Sequence, residues 1–362
     1  MNIDKTKILI FNGNTNDYKK IFTLGNRTIE NIKEYKYLGL TFTKLNKFNT
    51  TKKLLTQRAT KAMYFILSKS KDNNLSIECK LKLFDSVVTP ILLYGCEIWG
   101  YENTDIIENI HVTFMRRILP LKKSTPLYML YGELGRKPLK FLIQQKIISF
   151  WARIVMGKQT KISFLLHELM LRDQLLNKHN YTWINNIKTI LNNLGMSDVW
   201  MYRNFQSNKI LIEKIKLRQH DQYIQNWNSD TDKSSKGNVY KIFKENLNLE
   251  QYFNILPEHI WTNLIKFRTA NHYLPIETGR WNNTPLENRL CTLCEMNDIG
   301  DEYHYLFICN FFTDQRKHLL KSYYYVKPSI LKFNELMNTR RISYLKNTCK
   351  LIKEICNKFR RP

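Results

Sequence analysis

Four residues near the C-terminal end constrain the chain most: Cys291, Cys294, His304 and Cys309. Two residues separate the first pair of cysteines, nine lead on to His304, and four more to Cys309. A Cys-x-x-Cys pair presents two thiolates from one tight turn. A His and a Cys five positions apart can add two donors from a helical turn or a loop. Four nitrogen and sulfur donors close a tetrahedral shell, the structural kind of zinc site, with no open position for an activated water. A lone Cys-x-x-Cys would also fit a redox pair, but the second half-site so close behind it favours metal. The expected cofactor is one structural zinc ion. Asp298, Asp301 and Glu302 lie among these donors and read as solvated groups or as partners of the ligands, not as ligands.

The other cysteines point to a reducing compartment. Seven are present, an odd number in a chain of 362 residues, and no secretory segment opens it. The expected location is intracellular, nuclear or cytoplasmic, and not secreted. Cys349 and Cys356 fall on one apolar stripe and read as core residues. Cys79 and Cys96 read as structural, and the remaining histidines as packing or surface residues. No apolar run reaches the about 18 residues of a membrane span. The longest cluster, around Val87 to Trp99, is broken by Pro90, Gly95 and Glu97.

The charge balance points outward. Lys and Arg number 57 against 31 Asp and Glu, a formal net charge of +26. That excess fits a polyanionic partner, nucleic acid or an acidic membrane surface. Lys far outnumbers Arg in a chain also rich in Asn, Ile and Tyr, so part of the excess also fits compositional drift on solvated faces. At 43% hydrophobic residues the chain can build real cores.

Periodicity predicts a mainly α fold. The first 45 residues read as strands and turns. Ile8 to Phe11 is a short apolar run stopped by Asn12-Gly13, and Leu38 to Phe42 is a second candidate strand. So short a set of strands is expected to be part of a larger sheet. From Lys52 the spacing turns helical, with Leu55, Ala59, Ala62, Met63 and Ile66 on one face. Ile77, Leu81, Phe84, Val88 and Ile91 continue the pattern, and Pro90 should kink or end that helix. Ile107, Ile110, Phe114 and Ile118 form the next stripe, with Thr104 as its N-cap. Pro138 suits a first helical turn. Further helices are predicted around 183 to 194, 208 to 226 and Ile260 to Arg268. Residues 229–238 read as a linker by composition. The most regular stripe is the last: Ile342, Leu345, Cys349, Ile352, Cys356 and Phe359.

Several chemistries find no motif. There is no glycine-rich phosphate loop and no nucleophile elbow. No adjacent Asp-Asp pair occurs, whereas two-metal nucleotidyl transfer needs clustered carboxylates. The chain reads as a binder and not as an enzyme.

Asn2 to Lys7, Tyr35 to Leu40, Leu83 to Gly100, Phe267 to Trp281 and Arg289 to Cys309 together resemble the C-terminal part of non-LTR (LINE-type) retrotransposon reverse transcriptases. Asn2 to Lys7 and Tyr35 to Leu40 resemble the end of the palm. Leu83 to Gly100, with Pro90, Tyr94, Gly95, Glu97 and Trp99, looks like the thumb. Phe267 to Trp281 resembles the approach to the family's Cys-Cys-His-Cys motif, and Arg289 to Cys309 resembles that motif. The similarity runs in the family's order from about residue 1 to about residue 320, and is vaguest from about 160 to 250. The aromatic-x-Asp-Asp polymerase motif and the endonuclease have no counterpart, so no catalytic aspartate carries over. The resemblance implies a palm remnant (1–50, β), thumb-like helices (51–125), a helical connector (126–228), the linker (229–238), a helical segment (239–290), a zinc knuckle (291–309) and C-terminal helices (310–362).

The expected function is binding of RNA or DNA, mainly through phosphates, with no membrane partner and no oligomeric state specified. Candidate contacts are Arg58, Lys61, Arg116, Arg117, Lys122, Lys123, Arg280, Arg289 and Arg316. Tyr303, Tyr305, Phe311 and Phe312 flank the ligands, where a ring could stack on a base or pack around the metal. Two alternatives stay open: a zinc-stabilised protein-interaction module that binds no nucleic acid, and part of an enzyme active only with the missing fingers and palm.

Overall fold

The computed structural model describes residues 6–45 and 47–359, so that residues 2–5 of the palm-like stretch lie outside the described residues. The fold is mainly helical, with two small two-stranded antiparallel sheets near the N-terminus. β1 (Phe22–Leu24) pairs with β2 (Arg27–Ile29), and β3 (Glu34–Tyr37) with β4 (Leu40–Thr43). The apolar run at Ile8 forms only an isolated bridge to Asn31 and not the expected strand.

The chain divides into two compact units. One comprises residues 1–68, 82–111 and 138–220; the other comprises 69–81, 112–137 and 221–362. In the first unit, the stripe of helix Asn49–Asp72 is buried at Leu55, Ala59, Met63 and Ile66. Thr51 anchors the start of this helix to β4, where its hydroxyl accepts from Thr41 N–H (2.8 Å) and donates to Thr41 C=O (2.9 Å). Lys52 and Glu102 form a buried ion pair at 2.7 Å. Trp99 and Trp151 centre the core, and the Trp151 indole N–H donates to His167 Nε2 at 3.2 Å.

Pro90 acts locally, as its missing N–H requires. Helix Ile77–Leu83 gives way to a π-turn at Phe84–Val88, and a new short helix starts at Thr89–Leu92 with Pro90 in its first turn. Cys96 is buried, but Cys79 is exposed because it lies off the stripe formed by Ile77 and Leu81. The first half of the compositional linker is helical: helix Asn208–Lys233 runs through it, leaving residues 234–238 as the loop. Trp227 on this helix is buried, and its indole N–H donates to Tyr128 C=O at 2.8 Å. That anchor overrides the low helix propensity of Ser, Asp and Thr downstream.

The second unit packs around a buried charge. Arg268, at the end of helix Glu258–Arg268, and Glu133, at the end of helix Leu127–Glu133, are both fully buried. The guanidinium donates to both Glu133 oxygens at 3.2–3.3 Å and to Met337 C=O at 3.0 Å, and it meets Glu250 at 3.2 Å. Burial alone would lower the Arg268 pKa, but Glu133 and Glu250 outweigh it and hold the proton on. Tyr252 donates its hydroxyl to Glu133, and Lys244 pairs with Glu250. The last helix, Ile342–Lys358, packs on Glu258–Arg268 through the predicted stripe. Leu345, Cys349 and Ile352 are buried there, and the outer positions Ile342 and Cys356 are looser.

Removing one member of a buried ion pair strands the other. Glu133→Ala should therefore cost about 3–5 kcal/mol in urea unfolding, whereas Glu133→Leu combined with Arg268→Met should cost much less. Equal losses in the single and double variants would rule out the pair as the organising contact.

Candidate metal centre

Cys291 and Cys294 sit on a small hairpin. An antiparallel bridge joins Leu290 to Ile299, Gly300 N–H donates to Arg289 C=O (2.9 Å), and Cys291 N–H donates to Asp298 C=O (2.8 Å). At the tip, Leu293 N–H points at Cys291 Sγ at 3.4 Å, the turn geometry expected of a Cys-x-x-Cys knuckle. His304 and Cys309 come from a π-turn, His304–Ile308, in which Cys309 N–H reaches back to His304 C=O at 2.8 Å. The five-residue spacing of the two donors matches the i, i+5 bond of that turn, so both face the hairpin.

The four donor atoms lie within 4.8 Å of one another and could hold a metal ion. Cys291 Sγ is 3.8 Å from Cys309 Sγ, and Cys294 Sγ is 3.4 Å from His304 Nε2. His304 is buried, and desolvation lowers its pKa, which favours the neutral imidazole whose lone pair a cation can take. Burial pushes the Cys309 thiol up to about 12, so a cation is what would make it a thiolate near neutral pH.

The acids nearby divide by position. Asp301 Oδ1 accepts His304 N–H at 2.8 Å and caps the turn that carries two ligands. Asp298 lies 3.5 Å from His304 Nδ1 at the edge of the site. Glu302 is not solvated: it is buried against buried His272, with Nε2 and Oε1 2.8 Å apart. Leu274 N–H donates to His272 Nδ1 at 3.4 Å, which assigns the Nε2 proton to the bond with Glu302. Spacing could not reveal this pair, because its members are 30 residues apart.

The basic candidates separate into two groups. Arg58, Lys61, Arg117, Lys122 and Lys123 are exposed. Lys122 stands over two rings, 4.2 Å from the centre of Tyr273 and 5.0 Å from that of Trp281. The others are wholly or partly committed within the fold. Arg116 donates to the carbonyls of Lys122 (2.7 Å) and Thr125 (2.9 Å). Arg280 pairs with Glu277, and Arg289 donates to Thr284 and Ile276 carbonyls. Arg316 corrects the sequence reading outright. It is 3% exposed, and its guanidinium donates to the carbonyls of Tyr305, Ile308 and Cys309, clamping the ligand turn from beneath. Arg316 lies on Thr313–Leu319 and turns back to the π-turn, where its donors are taken up by these carbonyls and not left for a phosphate. Of the flanking rings, Tyr305 and Phe312 are buried, Tyr303 is half-buried against Phe307 and Phe333, and Phe311 is exposed.

No protein-family model matches the chain, and no curated protein or solved structure is significantly similar to it.

Arg316→Met removes the donors for three carbonyls of the ligand turn and should cost at least about 2 kcal/mol in chemical unfolding. Lys123→Ala, at an exposed position, should stay within about 0.5 kcal/mol of the parent chain. Comparable stability of the two variants would refute the clamp.

Proposed function

We propose that the chain is a nucleic-acid-binding C-terminal part of a non-LTR retrotransposon reverse transcriptase, stabilised by one structural zinc ion. The net charge of +26 carries this reading, with Arg58, Lys61, Arg117, Lys122 and Lys123 exposed to solvent. Cations on exposed helix faces and loops bind backbone phosphates with little regard for base sequence. The family assignment rests on the ordered resemblance of the palm, thumb and Cys-Cys-His-Cys segments. The reading assigns no catalysis to residues of this chain, which include no adjacent Asp-Asp pair.

Zinc is the metal that the donor set favours. Bonds of about 2.3 Å to sulfur and about 2.0–2.1 Å to nitrogen at tetrahedral angles set donors about 3.8 Å (S to S) and about 3.6 Å (S to N) apart. The Cys291–Cys309 and Cys294–His304 separations of 3.8 and 3.4 Å fit that shell. Three thiolates and one imidazole leave no coordination position for substrate, so the ion's role is to hold the hairpin to the π-turn.

One observation favours the protein-interaction reading instead. Helix Ile162–Leu175 exposes Ile162, Leu165, Leu166 and Leu169, an apolar face that a partner could cover.

Fluorescence anisotropy with labelled single-stranded RNA and DNA separates the two. Binding should weaken as salt rises, with a log–log slope of about −0.7 for each phosphate contacted. A flat salt slope, or a dissociation constant above about 100 µM at low salt, decides for the interaction module. The zinc is tested by metal analysis of protein purified without chelator. About one zinc per chain is expected, and Cys294→Ser should lower the content and destabilise the C-terminal part.

A further inference from the structure

Six lysine and arginine side chains among the described residues are buried: Lys52, Lys80, Lys236, Lys244, Arg268 and Arg316. Lys52 pairs with Glu102, Lys80 with Glu258, Lys244 with Glu250, and Arg268 with Glu133 and Glu250. Arg316 has its three carbonyls. Lys236 differs. It is 6% exposed, and its ammonium has a single long hydrogen bond, 3.4 Å to Ser124 C=O. An ammonium carries three N–H donors, and burying them without acceptors is unfavourable.

Its surroundings make the burial harder. Burial pushes the Lys236 ammonium down to about 8, and the charges of Arg280, Lys122 and Arg116 push the same way against Glu277. Glu277 is already engaged: its Oε2 accepts from Arg280 Nε and Nη2 at 3.0 and 2.9 Å, and its Oε1 takes Gly237 N–H at 3.4 Å. The loop cannot easily turn the lysine out. Ser234 Oγ bonds both Lys236 N–H (3.2 Å) and Lys236 C=O (3.1 Å), and Tyr128 O–H donates to Lys236 C=O at 3.0 Å. Gly237 has φ +68°, and a Cβ there would lie 2.4 Å from Met129 Cε. So a rigid loop holds an under-bonded cation among further cations.

We propose that Lys236, flanked by Lys122 and Arg280, is a binding site for one phosphate group of a nucleic-acid backbone. Phosphate oxygens would accept the unmatched Lys236 donors and screen the cations from one another, which a neutral ligand could not do. Trp281, 38% exposed and 5.0 Å beneath the Lys122 ammonium, gives the adjoining base a ring to stack on. The nucleic-acid source of the phosphate rests on the function proposed above; the phosphate site itself does not.

Thermal unfolding of the full chain, titrated with inorganic phosphate at constant ionic strength against chloride, tests the site. The Tm should rise with phosphate. Lys236→Met, which removes an under-bonded charge and keeps most of the length of the side chain, should match or exceed the parent Tm without phosphate and lose the phosphate response. A parent Tm indifferent to phosphate overturns the site whether or not the variant folds, as does a full phosphate response in Lys236→Met. Anisotropy with a single-stranded oligonucleotide separates the two proposals. Lys236→Met should bind about tenfold more weakly, with the salt slope shallower by about 0.7. If the parent chain binds no oligonucleotide but keeps a Lys236-dependent phosphate response, the site stands for free phosphate and the nucleic-acid reading falls.

Discussion

The contact between Arg268 and Glu133 is the constraint on which the second unit depends. Two fully buried charges can be tolerated only when each is matched nearly donor for acceptor, because their desolvation rivals their attraction. The requirement fixes more than two side chains. Glu133 must bring its backbone with it: Glu250 N–H donates to Glu133 C=O, and Leu134 bridges to Leu249. That approach needs Gly135, at φ +61°, since a Cβ there would lie 2.4 Å from Leu249 N. Met337 C=O, at the end of helix Ile330–Met337, completes the guanidinium's set of acceptors and so ties a third stretch of chain to the same point.

The cluster of Cys291, Cys294, His304 and Cys309 is a second organiser and follows a different logic. Neither the hairpin at 289–300 nor the short turn at 304–308 has enough backbone bonds to stand alone. Their order comes from side chains that converge from both sides. Asp301 caps the turn at its start, Arg316 holds its carbonyls from beneath, and the Glu302–His272 pair fixes its approach. Tyr305, between the ligands, packs against Phe359 at 4.9 Å and so brings the end of the last helix to the site. An ion joining the four donors would lock parts already aimed at one another.

How much of this was legible depended on the range of the interaction. The four donors could be read because the spacing of a tight turn and of a π-turn is local. The helical stripes could be read because burial of one helix face repeats along the sequence, as at Leu345, Cys349 and Ile352. Buried charges could not. Arg316 and Lys123 are the same letter class in the sequence, yet one holds three carbonyls and the other is exposed. Arg268 and Glu133 are 135 residues apart, and nothing near either announces the other. Composition misled at 229–238, where Ser, Asp, Thr and Gly suggest a solvated tether. Part of that stretch is helix, and the rest is a pinned loop carrying a buried lysine.

That lysine bears on how a chain of such charge folds at all. A net charge of +26 opposes compaction, and the opposition is strongest where cations leave water. The fold meets it by giving its buried cations partners of its own: carboxylates for Lys52, Lys80, Lys244 and Arg268, carbonyls for Arg316. Each carboxylate pairing takes a cation and an acid together, so the excess positive charge stays with the remaining side chains. Lys236 is where this internal matching stops. An under-bonded cation beside Lys122 and Arg280 is unfavourable in the isolated chain and favourable once an anion arrives, so the same feature that weakens the fold alone would strengthen it on phosphate.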